Sequence, residues 1–514
     1  MRTKNSLKNI MYGLMFQVIT VIINFVTRTI FIKMLGVEYL GINGLFSNVI
    51  SMFSFAELGI GGAIVFSLYK PLAEKDECKI SALINLYYKS YNIIATFVLS
   101  LGIIFMPFLR FITKGYEGYD NLIIIYSLFL INSVLSYFMA YKKSLITADQ
   151  KSYIINNVTG IFNIVLTVVQ IIFLVITKNY IIYLINQIIF TILQNIYISR
   201  ICDRMYPFIK ENKNARLNKN EYKEIFKNVY SLFLYKISGI VINSTDNIII
   251  SIFLGINIVG LYSNYTLIIG TISILLNIIF NSITASVGNL NAEGDIEKKY
   301  FIFKTINFMN FWFFSFSTIC LLVLTNNFIT LWLNKDYVLS EMVIFIIMID
   351  FYTKGMQNAN TVFRDATGIF SKGKYKPLIA AIINILVSII LVQKIGLIGV
   401  FLGTIISRAL TYFWHDPFIL HKYIFRKSSK KYFFSYIYNF IILMIVFIIT
   451  KKICNYFYKG TLSSLIVQSI ICFILINGVY IIIFRNREEY NYLKEIFKNI
   501  INNIFKNNNI LLND

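Results

Sequence analysis

Apolar residues run along this chain in blocks of about twenty, separated by short polar and mostly basic connections. A helix needs about 20 apolar residues to cross the hydrocarbon of a bilayer. Fourteen segments qualify: roughly 10–32, 40–68, 88–109, 121–141, 154–176, 180–199, 229–253, 260–284, 304–325, 341–361, 376–393, 397–414, 432–450 and 462–484. Pro71, Pro107, Pro207, Pro377 and Pro417 all fall at or beyond the ends of these segments, as expected of a residue that breaks helix interiors. The pattern predicts an all-α membrane protein with fourteen transmembrane helices. The stretch 74–89 and the tail 486–510 interleave charges with Ile, Leu, Phe and Tyr, which predicts helices lying at the interface.

Composition agrees. Hydrophobic residues make up 57% of the 514 residues, charged ones 14%, and the mean hydropathy is +0.67; soluble domains average about 25% charged. The net charge of +23 would ordinarily suggest nucleic acid, but its distribution points elsewhere. With the N-terminus inside, 34 of the 48 basic residues fall in cytoplasmic connections or, for Lys304 and Lys376, at the span edge beside them, and 9 on the opposite side. That bias orients the chain with both termini cytoplasmic. Basic loops beside anionic lipid then need no nucleic-acid partner. The apolar run 10–32 is too long for a signal-peptide core and lacks a clear cleavage site, so it is expected to be retained as the first span. Five cysteines without a CxxC pair and only two histidines predict neither a disulfide framework nor a metal site.

Two features concern organisation. The longest cytoplasmic connection is 200–228, and no outer connection exceeds about 16 residues, so neither face has room for a soluble domain that could house an enzyme. An internal repeat runs across that long connection. Leu35-Gly36 through Gly41 and Leu254-Gly255 through Gly260 are both L-G-x4-G, offset by 219. Phe162-Asn163-Ile164-Val165-Leu166 parallels Ile383-Asn384-Ile385-Leu386-Val387 at an offset of 221, which Lys143 and Arg364 share. A period of six spans inserts both halves in the same orientation, related by an axis along the membrane normal. The expected domains are a first lobe at 1–199, a linker at 200–228, a second lobe at 229–414, two further spans in 415–484 and a cytoplasmic tail at 485–514.

Charges inside spans cost free energy unless they face protein or water, so each is a candidate for function. The set is Arg28, Glu57, Lys236, Asp246, Asp350, Lys354 and Arg408. The four cations are distributed in depth as a moving anion would require. Each also has a plainer reading. Asp350 and Lys354, four apart on one helix face, can neutralise each other. Lys236 and Arg28 can snorkel to an interface, and Glu57 can pair with a basic residue of a neighbouring span. Arg408, amid Ile405, Ile406, Ala409 and Leu410, is the hardest to dismiss. Asparagines within spans, among them Asn43, Asn163, Asn247 and Asn384, could bond sugars or neighbouring helices.

No phosphate-binding G-x-x-x-x-G-K-[ST] loop and no H-E-x-x-H or G-x-S-x-G motif occurs. A secondary transporter fits better than an enzyme, and no catalytic residue is assigned. The sequence resembles the Wzx-type polysaccharide flippases of the MOP superfamily. The residues that carry this are Thr27-Arg28-Thr29-Ile30, Leu35 to Gly41, Glu57-Leu58-Gly59-Ile60-Gly61, Tyr69 to Ala73, Ala148-Asp149-Gln150-Lys151, and Ser244-Thr245-Asp246-Asn247-Ile248-Ile249-Ile250. The resemblance implies a MATE-like fold in a bacterial plasma membrane. It also implies movement of an undecaprenyl-diphosphate-linked oligosaccharide from the inner to the outer leaflet, for surface polysaccharide biosynthesis.

Under that reading Arg28, Lys236, Lys354 and Arg408 would hold the diphosphate, and Glu57, Asp246 and Asp350 would gate or couple to a proton or sodium ion. No cofactor is expected. The partners would be the lipid-linked substrate and membrane lipids, with a polysaccharide polymerase and assembly proteins as candidates, around a monomer. The alternatives are a MATE-like drug/cation antiporter and a lipid II flippase.

Overall fold

The computed structural model describes residues 2–511, apart from 58, 59, 117, 213, 293, 294 and positions 368, 370–372 and 374. Among the described residues every regular element is helical. The principal helices are α1 (Arg2–Phe53), α2 (Ile60–Glu74), α3 (Glu77–Phe105), α4 (Tyr119–Tyr137), α5 (Ala140–Ala148), α6 (Ser152–Thr177), α7 (Tyr180–Met205), α8 (Lys219–Leu254) and α9 (Ile256–Ala292). They continue with α10 (Ile296–Trp332), α11 (Glu341–Gly355), α12 (Asn358–Thr367), α13 (Lys376–Ile395), α14 (Leu397–Leu410), α15 (Tyr412–Leu420), α16 (Lys430–Tyr456), α17 (Leu462–Phe484) and α18 (Glu488–Leu511).

Ten of the described helices are long and apolar enough to cross a membrane, or up to eleven if α4 and α5, bent by 43° where they meet, are one span. The protein is therefore an all-helical, multi-pass membrane protein. The expected count was fourteen, and three places account for the difference. α1 runs through the first expected span and into the second, broken only at Gly36. α8 begins in the charged segment at Lys219, under a capping box of Asn218 and Glu221; most side chains of its apolar stretch before Ser244 lie outside the described residues, and the described apolar part is Ser244–Leu254. α11 has 15 residues. The interfacial helix expected at 74–89 does not stand alone. After the N-cap Asp76, whose carboxylate accepts from the Lys79 N–H at 2.9 Å, its residues are the first turns of α3. Pro71 and Pro417 lie inside helices, because α2 and α15 continue past the expected ends.

Packing groups the chain into two compact units, Met1–Ser263 with Pro377–Val400, and Asn264–Lys376 with Phe401–Asp514. In the first, glycines let neighbours close in. A Cβ at Gly160 on α6 would overlap the Phe16 ring of α1, and one at Gly102 on α3 would overlap Leu130 of α4. In the second, α10 is the central helix, 61% buried along its most apolar stretch against at most 39% for the other spans. Its polar groups are used internally. Asn310 donates to the Gly355 carbonyl at 3.0 Å, and the Trp312 indole donates to Asn477 at 2.8 Å. Outward-facing Ile93, Ile176, Phe434 and Ile482 are each about 70% exposed, which suits lipid rather than water.

Candidate functional site: a reciprocal glycine seam and the charges around it

The repeated L-G-x4-G motif has a structural counterpart. Gly36 has φ 87° and ψ −179°, and Gly255 has φ 96° and ψ 161°, a region open essentially to glycine alone. Each therefore turns the chain between two helical segments without a loop. The segments that follow meet reciprocally. A Cβ at Gly41 would lie 2.2 Å from the Ile256 carbonyl oxygen, and a Cβ at Gly260 would lie 2.2 Å from that of Val37. Residue 41 meets 256 while 260 meets 37, so the two copies of the motif exchange the same contact. The exchange continues into the helices. The Arg28 Nη1 donates to Ser263 Oγ at 2.9 Å. The offset of 219 carries that pair to Asn247 and Gly44, and the Asn247 amide lies 3.8 Å from where a Gly44 Cβ would stand.

The seam places one cation. Arg28 is half-buried, with Tyr183 as its ionisable neighbour. Tyr183 stacks on Tyr180, whose hydroxyl donates to Asn43 at 3.0 Å. Among the described residues Arg28 forms no ion pair with a carboxylate; its bond is to the Ser263 hydroxyl. An arginine keeping donors free of any anion, in a polar and aromatic setting, is chemically suited to a phosphate oxygen.

The other candidates differ. Arg408 on α14 donates to the Asp350 carboxylate at 2.8 Å, to the Asp350 carbonyl at 3.1 Å and to the Thr353 hydroxyl at 2.7 Å. Asp350 thus pairs with Arg408, where spacing alone offered Lys354. Lys354 is exposed at the end of α11. The side chain of Lys236 lies outside the described residues. Glu57 accepts from the Tyr91 hydroxyl, which neighbours Tyr87 at 3.4 Å, so hydroxyls stand where a basic partner was expected. Asp246 is half-buried on α8 between Thr245, which donates to Asn384 at 3.4 Å, and Asn247 of the seam. Arg28, Asp246 and Glu57 belong to one compact unit, and Arg408, Asp350 and Lys354 to the other.

Sequence reasoning missed several groups. Ser263 was legible in principle, since extending the offset of 219 from Gly44 reaches it. Two carboxylates at span ends, one half-buried and one buried, were also missed. Asp203 near the end of α7 is held by Lys142 at 2.6 Å and Lys210 at 3.0 Å. Asp416 on α15, 5% exposed, is held by Arg364 at 3.0 Å and by Lys376. Both had been counted as connections outside the spans. The second repeat match is uneven in its surroundings: Asn384 is fully buried and Asn163 exposed.

Residues 6–284, more than half of the chain, match the family of polysaccharide biosynthesis proteins. The chain belongs to this family. No curated protein matches the chain significantly. Among solved structures it is similar to the lipid II flippase MurJ in an inward closed conformation, with a TM-score of 0.65 and 17% identity over 92% of this chain and 99% of that one. It is also similar to a multidrug resistance MATE family transporter in an inward-facing conformation, with a TM-score of 0.59 and 14% identity over 78% and 94% of the two chains. A third is a MOP superfamily transporter from Pyrococcus furiosus, described as having a binding pocket of reverse polarity that suggests a different function. Its TM-score is 0.51, at 14% identity over 83% and 97% of the two chains. At these identities the likeness concerns the fold. These three neighbours are described as a flippase and two transporters.

Proposed function

We propose that this protein is a flippase that carries an undecaprenyl-diphosphate-linked oligosaccharide from the cytoplasmic to the outer leaflet of a bacterial plasma membrane by alternating access. It would have fourteen spans with both termini inside. Lobes 1–199 and 229–414 would rock about the passenger, and the spans within 415–484 would stand beside them. The observation that supports this most directly is Arg28, a cation bonded to a serine hydroxyl at 2.9 Å and set at the repeat's reciprocal contact. A diphosphate leaving water needs charged donors, whereas the lipid tail can stay in the bilayer. Glu57 and Asp246 are the candidate sites for a coupling proton or sodium ion. A polysaccharide polymerase would take the product. A cation antiporter would instead need an acidic lining, and the unpaired arginine argues against it. Lipid II remains the alternative passenger within the same chemistry.

The test is export. Arg28→Ala is expected to abolish surface polysaccharide while leaving the amount of protein in the membrane unchanged, and Arg28→Lys to retain part of it, since an ammonium lacks the planar fork of donors. Full export by Arg28→Ala would remove the proposal. Restored cell-wall synthesis in a strain lacking its lipid II flippase would reassign the passenger.

A further inference from the structure

Glu57 closes a one-turn 3-10 helix, Ser54–Glu57, between α1 and α2. A carboxylate inside a span can be offset by a cation or by a proton. Among the described residues Glu57 is in no ion pair, and the ionisable groups that face it are all phenols: Tyr91 and Tyr87 of α3 and Tyr137 of α4. One of them is bonded to it, since the Tyr91 hydroxyl donates to Glu57 Oε1. A single hydroxyl makes no cage for a metal ion, but it can deliver a proton.

The contact does not end at Tyr91. Tyr87 stands one helical turn before it, so the two rings share a face of α3, with their hydroxyls 3.4 Å apart. The Tyr87 hydroxyl is 3.0 Å from Ser144 Oγ of α5, and Ser144 donates to the Ala140 carbonyl at 3.0 Å. Glu57, Tyr91, Tyr87 and Ser144 therefore form one continuous file of hydrogen-bonded oxygens. Both tyrosines are buried, Tyr87 1% and Tyr91 2% exposed, whereas Glu57 and Ser144 at the two ends are half-buried. By the basic-residue bias the Ser144 end is the cytoplasmic one. Gly61, four residues beyond Glu57, leaves the space. A Cβ there would lie 3.0 Å from the Tyr87 hydroxyl and 3.4 Å from that of Tyr91. Both ends of the motif from Glu57 to Gly61 thus serve the file.

We infer that this file is a proton wire through which the cytoplasm protonates Glu57. The inference rests on the reading of Glu57 as a coupling site and makes the coupling ion a proton. With Glu57 ionised, Ser144 donates to Tyr87, Tyr87 to Tyr91, and Tyr91 to the carboxylate. In uptake the Tyr91 proton passes to Glu57, the Tyr87 proton to Tyr91 and the Ser144 proton to Tyr87. A hydronium ion on the cytoplasmic side restores the Ser144 hydroxyl and leaves as water. Each hydroxyl breaks one O–H bond and forms another, so one proton is consumed, the carboxylate becomes neutral and no hydroxyl is left charged. Both bonds of Tyr87 can run in either direction. After uptake every bond therefore runs outward and the last ends on the Ala140 carbonyl, so the file is satisfied in both states. Its longest step, between the two tyrosines, sets the rate.

Time-resolved infrared spectroscopy of the full chain in lipid nanodiscs follows the carboxylic-acid band of Glu57, identified as the band that Glu57→Gln lacks, after a jump from about pH 8 to about pH 4. Tyr87→Phe and Ser144→Ala each remove one hydroxyl from the file and little else. Each is expected to slow the rise of the band about a hundred-fold, the lower end of what a positioned proton donor contributes, and to leave its final size unchanged. A merely structural role would change the size and not the rate. Thermal melting checks that each variant is folded; if Tyr87→Phe is not, Gly61→Ala, whose methyl presses on the Tyr87 hydroxyl, is expected to slow the rise in the same way. A native chain without a Glu57-dependent band, native rates in the folded variants, a smaller band at the native rate, or a band that rises on removal of sodium at constant pH would each overturn the proposal. The sample holds no passenger, so any of these results leaves the flippase reading to its own export test.

Discussion

Arg28 and Arg408 are both arginines in apolar helices, and from sequence Arg408 looked the better candidate for contact with an anion. The structure reverses their order. Arg408 is surrounded by acceptors of its own chain, with the Asp350 carboxylate, the Asp350 carbonyl and the Thr353 hydroxyl all within 3.1 Å. Among the described residues Arg28 bonds a single hydroxyl, that of Ser263. A buried cation paired with a carboxylate has had its desolvation compensated within the fold, and bringing in a phosphate would require breaking that pair. A cation bonded only to a neutral hydroxyl retains most of its capacity for an incoming anion. Apolar neighbours in sequence measure how costly a charge is, not who compensates it.

The largest effect that would test this contrast is on stability. Asp350→Ala leaves Arg408 without its carboxylate and is expected to cost about 3 kcal/mol, read as a lower melting temperature of the purified protein. Replacing both partners, Arg408→Met with Asp350→Leu, is expected to recover most of that loss and to leave export intact. Loss of export in a stable double variant would show that Arg408 acts on the passenger and would dissolve the distinction.

Next come the seam glycines. Gly41→Ala and Gly260→Ala each drive a methyl into a backbone carbonyl and are expected to cost about 1–3 kcal/mol. The two costs should match, because the contacts are reciprocal; clearly unequal melting shifts would break the equivalence. The smallest effect belongs to Ser263→Ala. Loss of its one hydrogen bond to Arg28 is expected to cost about 1 kcal/mol, far below the cost of Asp350→Ala, by the same melting measurement.

Much of the helical plan was readable in the sequence because hydrophobic block length is a direct consequence of bilayer thickness. Among the described residues all fourteen expected segments lie largely on helix. What block length does not register is a break without a polar interruption, such as Gly36 inside α1, or a helix that runs past the apolar stretch into charged residues, as α8 does from Lys219. The candidate site was legible as a list of costly charges and illegible as a set of partners. Asp350 joining Arg408 across 58 positions, or Tyr91 joining Glu57 across 34, depends on tertiary packing that has no local signature. The exception was the repeat. It marked the seam glycines from sequence, and its offset would have led from Arg28 and Gly44 to Asn247 and Ser263.

The reciprocal seam also bears on ancestry. Two identical subunits meeting about a twofold axis make each contact twice, so any substitution at their interface is felt on both sides at once. Two copies of a motif within a single polypeptide are free of that constraint. Gly41 and Gly260 still behave as twins, but Arg28 now faces a serine where its counterpart Asn247 approaches a glycine. Two copies of a motif carried in one polypeptide can differ at equivalent positions, an arginine in one and an asparagine in the other, which identical subunits cannot.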